Sequence, residues 1–193
     1  MTNSYWNRIA GIYERLMSPA SWMESQHAII EGLSGRVLEA CCGTGQLLAE
    51  MLKRGIDAWG IDLSPKMVEV ARGRLANAGL DPQRVSAADV TALPFDEQSF
   101  DYVVSAGSIG LLSLSDKRAA LQELVRVCRC EVWLLEPVEK RPGFYWGRVL
   151  TFMVDGHRPI PQSLFSGLGL DYQVEWDTLR GVFSYIRVPL PPH

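Results

Sequence analysis

The apolar positions of this chain switch repeatedly between two periods, and that switching predicts its architecture. Val37 and Leu38 form a short strand-like run that closes on Glu39. Beyond Gly43 and Gly45 the pairs Leu47/Leu48 and Met51/Leu52 recur four residues apart, as the buried face of a helix requires. The same order returns at once: Ala58 to Ile61 closes on Asp62, and Ser64-Pro65 then starts a helix. A third run spans Arg84 to Asp89, and a fourth, Phe100 to Ser105, follows Leu93-Pro94-Phe95. A helix is predicted from about Ser115 to Val127, with Leu121, Leu124, Val125 and Cys128 on one face, and a fifth strand from Val132 to Leu135 ending at Glu136-Pro137. Tyr172 to Trp176 and Val182 to Val188 alternate around residues 178–181 and read as a hairpin. The closing Pro189-Leu190-Pro191-Pro192 is not expected to continue a central strand. Strands alternating with helices imply an α/β fold: a Rossmann-like, doubly wound sheet of seven strands, mostly parallel, with an antiparallel C-terminal hairpin strand. No repeat, low-complexity stretch or interdomain linker interrupts it.

The chemistry lies where strands give way to helices. Between Glu39 and Leu47 the chain crosses from strand to helix through Gly43 and Gly45. Glycine lets a backbone approach a ligand, and the helix behind it offers unpaired N–H groups to ligand oxygens. A dinucleotide fingerprint needs a third glycine three residues after Gly45, where this chain has Leu48, so nicotinamide and flavin cofactors are disfavoured. Glu39, Asp62 and Asp89 each end a strand-like run. Ligands of open parallel sheets bind beyond the carboxyl ends of the strands, so these acids should converge on one crevice, with Asp62 placed to take two ribose hydroxyls.

The segments EACCGTGQL, GIDLSPKMVEVAR and AADVTALPFDEQSFDYVV, in that order, resemble the successive motifs of class I S-adenosylmethionine-dependent methyltransferases. YWNRIAGIYERLM and GLGLDYQVEWDTLRGVFSYIRV are similar to the opening and closing segments of the ubiquinone/menaquinone C-methyltransferase branch. The resemblance implies S-adenosyl-L-methionine as cofactor, with S-adenosyl-L-homocysteine as product. It brings Gly43 and Gly45 to the methionine and ribose parts, gives Glu39 the loop and the amino group, and gives Asp62 the ribose diol. Leu63 and Met67 would pack on adenine, whose amino group Asp89 would accept, with the Val90 N–H on a ring nitrogen. Ala40, Cys41 and Ser105 complete the cofactor set, and Tyr13 would cover the cofactor. Cys41 stands where the family more often has glycine, a small variant expected to be tolerated. Cys128-Arg129-Cys130 replaces the family's Pro-Gly-Gly turn before the fifth strand, so that turn must be built differently. The whole chain then reads as one domain: an N-terminal cap over residues 1–30, a cofactor-binding core over 31–136, an acceptor-site connection over 137–161 and a C-terminal hairpin over 162–193.

Composition narrows the reading. A chain of 193 residues with 47% hydrophobic content can bury one sizeable core. Its formal net charge of −3 gives no general attraction to phosphate backbones, so general nucleic-acid binding is not expected. No apolar run reaches membrane-span length and the N-terminus has no secretory core, which points to a cytoplasmic protein. The four cysteines, Cys41-Cys42 and Cys128-x-Cys130, lack zinc-knuckle spacing and read as buried reduced thiols, so no metal is expected. Arsenite methylation, which needs thiolates around the acceptor, is the sharper alternative.

Two segments qualify as the acceptor site, the stretch around Tyr5, Trp6 and Tyr13 and the connection from Lys140 to Pro161. In the latter, Trp146, Val149, Leu150 and Met153 share one helical face. Such a stripe is more often plain core, and its functional reading is an apolar pocket over the sulfonium. After Ser105, related sequences often carry an aromatic and then histidines, whereas this chain reads Ala106-Gly107-Ser108-Ile109-Gly110-Leu111. No catalytic base is therefore carried over. Tyr13, His157 and Glu136 are the candidates, with a solvated loop histidine the plainer reading of His157 and loop orientation that of Glu136. The expected function is methyl transfer to a small, partly apolar acceptor by in-line displacement, mainly through positioning. A quinone precursor or phospholipid head group is the alternative acceptor, supported by Phe144, Tyr145 and Trp146 among Lys140, Arg141, Arg148 and Arg158. A cofactor-binding partner subunit without chemistry is the alternative class. A homodimer closing the acceptor pocket also fits the apolar 144–152 stretch.

Overall fold

The computed structural model describes residues 28–138, 158–178 and 183–191. Seven strands form one sheet in the order β3-β2-β1-β4-β5-β7-β6. They are β1 (Arg36–Ala40), β2 (Asp57–Asp62), β3 (Val85–Ala87), β4 (Phe100–Ala106), β5 (Cys128–Glu136), β6 (Gln173–Thr178) and β7 (Phe183–Pro189). β1 to β5 pair in parallel, and β7 runs antiparallel to both β5 and β6. The predicted Rossmann-like sheet is therefore present, and its order reverses between β1 and β4.

Side chains alternate across the pleat, so neighbouring residues feed opposite cores. Val37, Val104, Trp133 and Leu135 pack with α1 (Gln46–Lys53) and α2 (Pro65–Asn77) through Leu47, Leu48, Met51, Val68, Ala71 and Leu75. Leu38, Val103, Val132 and Leu134 pack on the other face with Leu121 and Leu124 of α3 (Leu114–Val127) and Phe165 of α4 (Gln162–Ser166). α2 starts as its sequence suggests: the Ser64 hydroxyl accepts from the Met67 N–H at 3.2 Å and proline takes the first turn.

Two expectations change at the ends of β5 and β7. Cys128 does not extend the apolar face of α3 but is the first residue of β5, extended at φ −94° and ψ 143°. The helix thus passes into the strand without a loop, which is how this chain dispenses with a glycine turn. Pro189 does belong to β7, opposite Glu131. It is tolerated because β6 begins only at Gln173, opposite Arg187, so no strand lies beside Pro189 on that side. The next N–H, on Leu190, donates to the Cys130 carbonyl at 2.8 Å.

Candidate functional site

The reversal of strand order opens a crevice beyond the C-terminal ends of β1 and β4, and the loop after β1 borders it. Cys41 turns the chain at φ +58°, a left-handed conformation that costs a non-glycine residue roughly 1–2 kcal/mol. Neighbours hold the turn in place. The Cys42 N–H donates to the Ile61 carbonyl and the Gly45 N–H to the Cys42 carbonyl, both at 2.9 Å. Arg74 Nε of α2 donates to the Thr44 carbonyl at 2.9 Å.

The two loop glycines answer to different constraints. At Gly43, φ +54°, an added Cβ meets nothing within 4 Å, so this backbone faces open space. At Gly45, φ +72°, a Cβ would lie 2.9 Å from the Cβ of Ala71, so packing of the loop on α2 already demands glycine. A third glycine, overlooked in the sequence, is Gly60 of β2: a Cβ there would approach Leu48 Cδ2 to 2.8 Å and Cys42 Sγ to 3.1 Å. Its signal was a glycine inside an apolar strand run.

Asp62 ties two loops together. Its Oδ2 accepts from the Gly43 N–H at 2.9 Å and its Oδ1 from the Ser64 N–H at 2.8 Å, which leaves each oxygen a further lone pair. Burial raises its pKa, with those two N–H groups acting in the opposite direction. Leu63, beside it, is 48% exposed, an unusual place for a leucine, while Met67 is buried. Asp89 lies two residues past β3 and is exposed; its Oδ1 accepts from both the N–H and the hydroxyl of Thr91, at 2.9 and 2.7 Å. Val90 is buried in the α3-side core.

Glu39 is only 4% exposed, and its Oε2 has no hydrogen-bond partner. Burial pushes its pKa up to about 8; a hydrogen bond from the Leu48 N–H pulls down and nearby Asp62 adds a further rise. α1 has neither a capping side chain at Gly45 nor an acid in its first turn, so Glu39 reaches from β1 to serve its Leu48 N–H. The free oxygen is an acceptor in want of a donor, and a cation placed there would ionise the group. Ser105 Oγ, at the end of β4 and fully buried, is likewise unpartnered.

At the end of β5 Glu136 is fully buried, and both of its oxygens are engaged. Oε1 accepts from the N–H groups of Ser108 at 2.7 Å and Ile109 at 2.9 Å, and Oε2 from that of Gly110 at 3.0 Å. Burial raises its pKa to about 7, against the pull of those three N–H groups and of Lys117. Ser108 and the buried Lys117 were not singled out in the sequence; no motif marks either. Tyr13, His157, the N-terminal aromatics and the 144–153 stripe lie outside the described residues. The Cys41 and Cys42 thiols are raised well above their usual range, by burial first and then by acids around them, Asp62 foremost for Cys41 and Glu39 for Cys42. Such protonated thiols are poor soft-metal ligands. Among the described residues no cluster of three or more His, Cys, Asp or Glu is arranged to hold a metal, and no helix is long and apolar enough to cross a membrane.

Fold and strand order together define a Rossmann-like α/β protein whose sheet reverses between β1 and β4. Comparison with known proteins points to one family. Residues 37–131 match the methyltransferase domain family. An uncharacterized protein of Mycobacterium tuberculosis is 39% identical over 94 residues, 49% of this chain and 33% of that protein. The demethylmenaquinone methyltransferase of Thermotoga maritima is 33% identical over 147 residues, 72% of this chain and 59% of the relative. This chain therefore spans about a third of the first and less than two thirds of the second. Among solved structures, magnesium protoporphyrin IX methyltransferase of Synechocystis with bound SAH superposes with a TM-score of 0.75 at 17% identity, covering 98% of each chain. Residues 37–131, just under half of the chain, thus resemble a methyltransferase domain, and the likenesses together support a class I S-adenosylmethionine-dependent methyltransferase.

Proposed function

We propose that this protein transfers a methyl group from S-adenosylmethionine to a small, partly apolar acceptor. The observation that carries the reading is the buried, unpartnered Oε2 of Glu39 beside the open backbone of Gly43. A cationic amino group on that oxygen satisfies an acceptor that otherwise stands as a buried cost. Asp62 takes the ribose diol with the lone pairs that Gly43 and Ser64 leave free. Exposed Leu63 and buried Met67 border the adenine, with Asp89 and the Val90 N–H on its polar edge. Ala40, Cys41, Gly45 and Ser105 complete the wall.

When bound, the cofactor supplies an electrophilic methyl on a sulfonium and leaves as the thioether S-adenosylhomocysteine. The chain's own task is to align an acceptor lone pair with the breaking carbon–sulfur bond and to keep water out. Neither buried glutamate is left as a base for the acceptor: Glu136 is occupied by three N–H groups, and the open oxygen of Glu39 is assigned to the cofactor's amino group. Transfer by positioning follows, with any acceptor proton passing to solvent.

A quinone precursor is the second reading of the acceptor, favoured by the similarity to demethylmenaquinone methyltransferases. Incubating the protein with methyl-labelled S-adenosylmethionine and separate aqueous and lipid-soluble metabolite fractions tests both. Label in a small aqueous product supports the first reading and label in a quinone the second. Tight S-adenosylhomocysteine binding with no labelled product in either fraction points instead to a cofactor-binding partner subunit.

A further inference from the structure

The turn after β4 is held from both ends of its peptide dipoles. Glu136 collects the three successive N–H groups of Ser108, Ile109 and Gly110, a concave arrangement suited to an anion. Lys117 of α3, only 2% exposed, donates from Nζ to the carbonyls of Gly110 and Leu112, each at 3.0 Å. Gly110 therefore has its N–H on the carboxylate and its carbonyl on the ammonium. The Arg158 N–H donates to that same carbonyl at 2.8 Å, where the chain returns toward the sheet, and Val138 and Ile160 form a bridge beside it. On the other side the Gly107 N–H donates to the Leu135 carbonyl at 2.9 Å, and Ser108 Oγ lies 3.4 Å from the Cys41 carbonyl of the cofactor loop. The turn is thus a junction of the cofactor loop, the end of β5 and the returning chain.

Its sequence does little to hold it. Gly107, at φ +70°, and Gly110 are conformationally free, and only Ile109 has a large buried side chain. Burying two opposite charges is a costly way to gain stability, and a well-packed apolar pair often serves as well or better. What a buried, hydrogen-bonded charge pair supplies is one defined geometry. We propose that Glu136 and Lys117 are positioning residues for methyl transfer, fixing the Ser108–Leu112 turn and through it the acceptor side of the site against the cofactor loop. The proposal rests on the methyltransferase reading above, and it removes Glu136 from the candidates for a base.

The test compares Glu136→Gln, Lys117→Met and the apolar double replacement Glu136→Leu/Lys117→Met. Amide exchange at Ser108, Ile109 and Gly110 is measured in protein saturated with S-adenosylhomocysteine; thermal unfolding, S-adenosylhomocysteine affinity and transfer to the acceptor found with labelled cofactor are measured on separate, initially free protein. The expected result is a double variant as stable as wild type, with at least tenfold less amide protection confined to the turn. Its S-adenosylhomocysteine affinity should stay within threefold, and its kcat/KM for the acceptor should fall at least tenfold. A stable double variant that keeps its turn protection, or keeps its transfer rate, overturns the proposal and leaves the pair as filler. Should the double variant not fold, Lys117→Met, which keeps the carboxylate, must show the same localised loss of protection or the proposal fails. Wild type that does not bind S-adenosylhomocysteine refutes the methyltransferase reading, while turn exchange in free protein still decides whether the clamp exists.

Discussion

Two buried glutamates lie at the C-terminal ends of β1 and β5, on either side of β4, and they differ in how they are satisfied. Glu39, near the end of β1, receives one N–H from α1, keeps an unpartnered oxygen and sits near another acid, Asp62. Glu136, at the end of β5, receives three N–H groups and feels the Lys117 cation. Burial raises both, to about 8 for Glu39 and about 7 for Glu136. The lesson is that burial alone does not mark a ligand-binding carboxylate: the incomplete one awaits a donor from outside, and the complete one organises the chain.

The largest expected effect is on stability against pH. Each glutamate has a folded pKa above the ordinary 4.5, so the folded state holds more protons than the unfolded one between these values. Their contribution is fully present below pH 4.5 and is lost as pH rises, through about 7 for Glu136 and about 8 for Glu39. Each costs at most about 1.4 kcal/mol per pH unit within its window. Urea unfolding of free protein should show Glu39→Gln flattening the curve up to pH 8, and Glu136→Gln flattening it only up to 7. Saturating S-adenosylhomocysteine should erase the slope near pH 7.5 in wild type, by ionising Glu39 against the amino group. A slope there that ignores the ligand breaks the contrast between the two acids.

Asp62→Ala should weaken S-adenosylmethionine binding by roughly 2 to 3 kcal/mol, the scale of charge-assisted hydrogen bonds lost from a diol. Because Asp62 also holds Gly43 and Ser64, unfolding must be followed in parallel; calorimetric affinity equal to wild type removes it from the site. Next comes a split between the loop glycines. Gly45→Ala should destabilise by about 1–3 kcal/mol through contact with Ala71, whereas Gly43→Ala bears only the positive-φ cost and should act mainly on cofactor affinity. Equal stability losses would mean that both glycines serve packing. The smallest effect is Cys41→Gly: relief of its positive φ is partly offset by added freedom in the unfolded chain, for a gain of no more than about 1 kcal/mol in denaturant melts.

Much of this was legible in the sequence because it follows from period and punctuation. The strand runs ending at Asp62 and Glu136, the run through Glu39 that ends one residue later at Ala40, the buried Leu47/Leu48/Met51 face and the Ser64 cap are local patterns, and the structure has them. What escaped depends on partners distant in sequence. Nothing near Gly45 says that Ala71 will press on it, and nothing near Lys117 says that its ammonium will meet carbonyls five and seven residues back rather than water. Cys128 was misplaced because apolar spacing cannot distinguish the last turn of a helix from the first residue of a buried strand.

The cysteines give each face of the sheet its own stopwatch. Cys42 belongs to the core under α1 and α2, Cys128 to the core under α3, and burial holds the Cys128 thiol at about 12 and that of Cys42 well above its usual range. While folded, neither thiol reacts appreciably with an alkylating reagent at neutral pH; once its layer opens, it reacts as an ordinary cysteine. Mass-resolved labelling times at the two sites therefore record separately how often each helical layer lifts from the sheet, and whether bound cofactor slows one, as its loop on the α1 side predicts, more than the other.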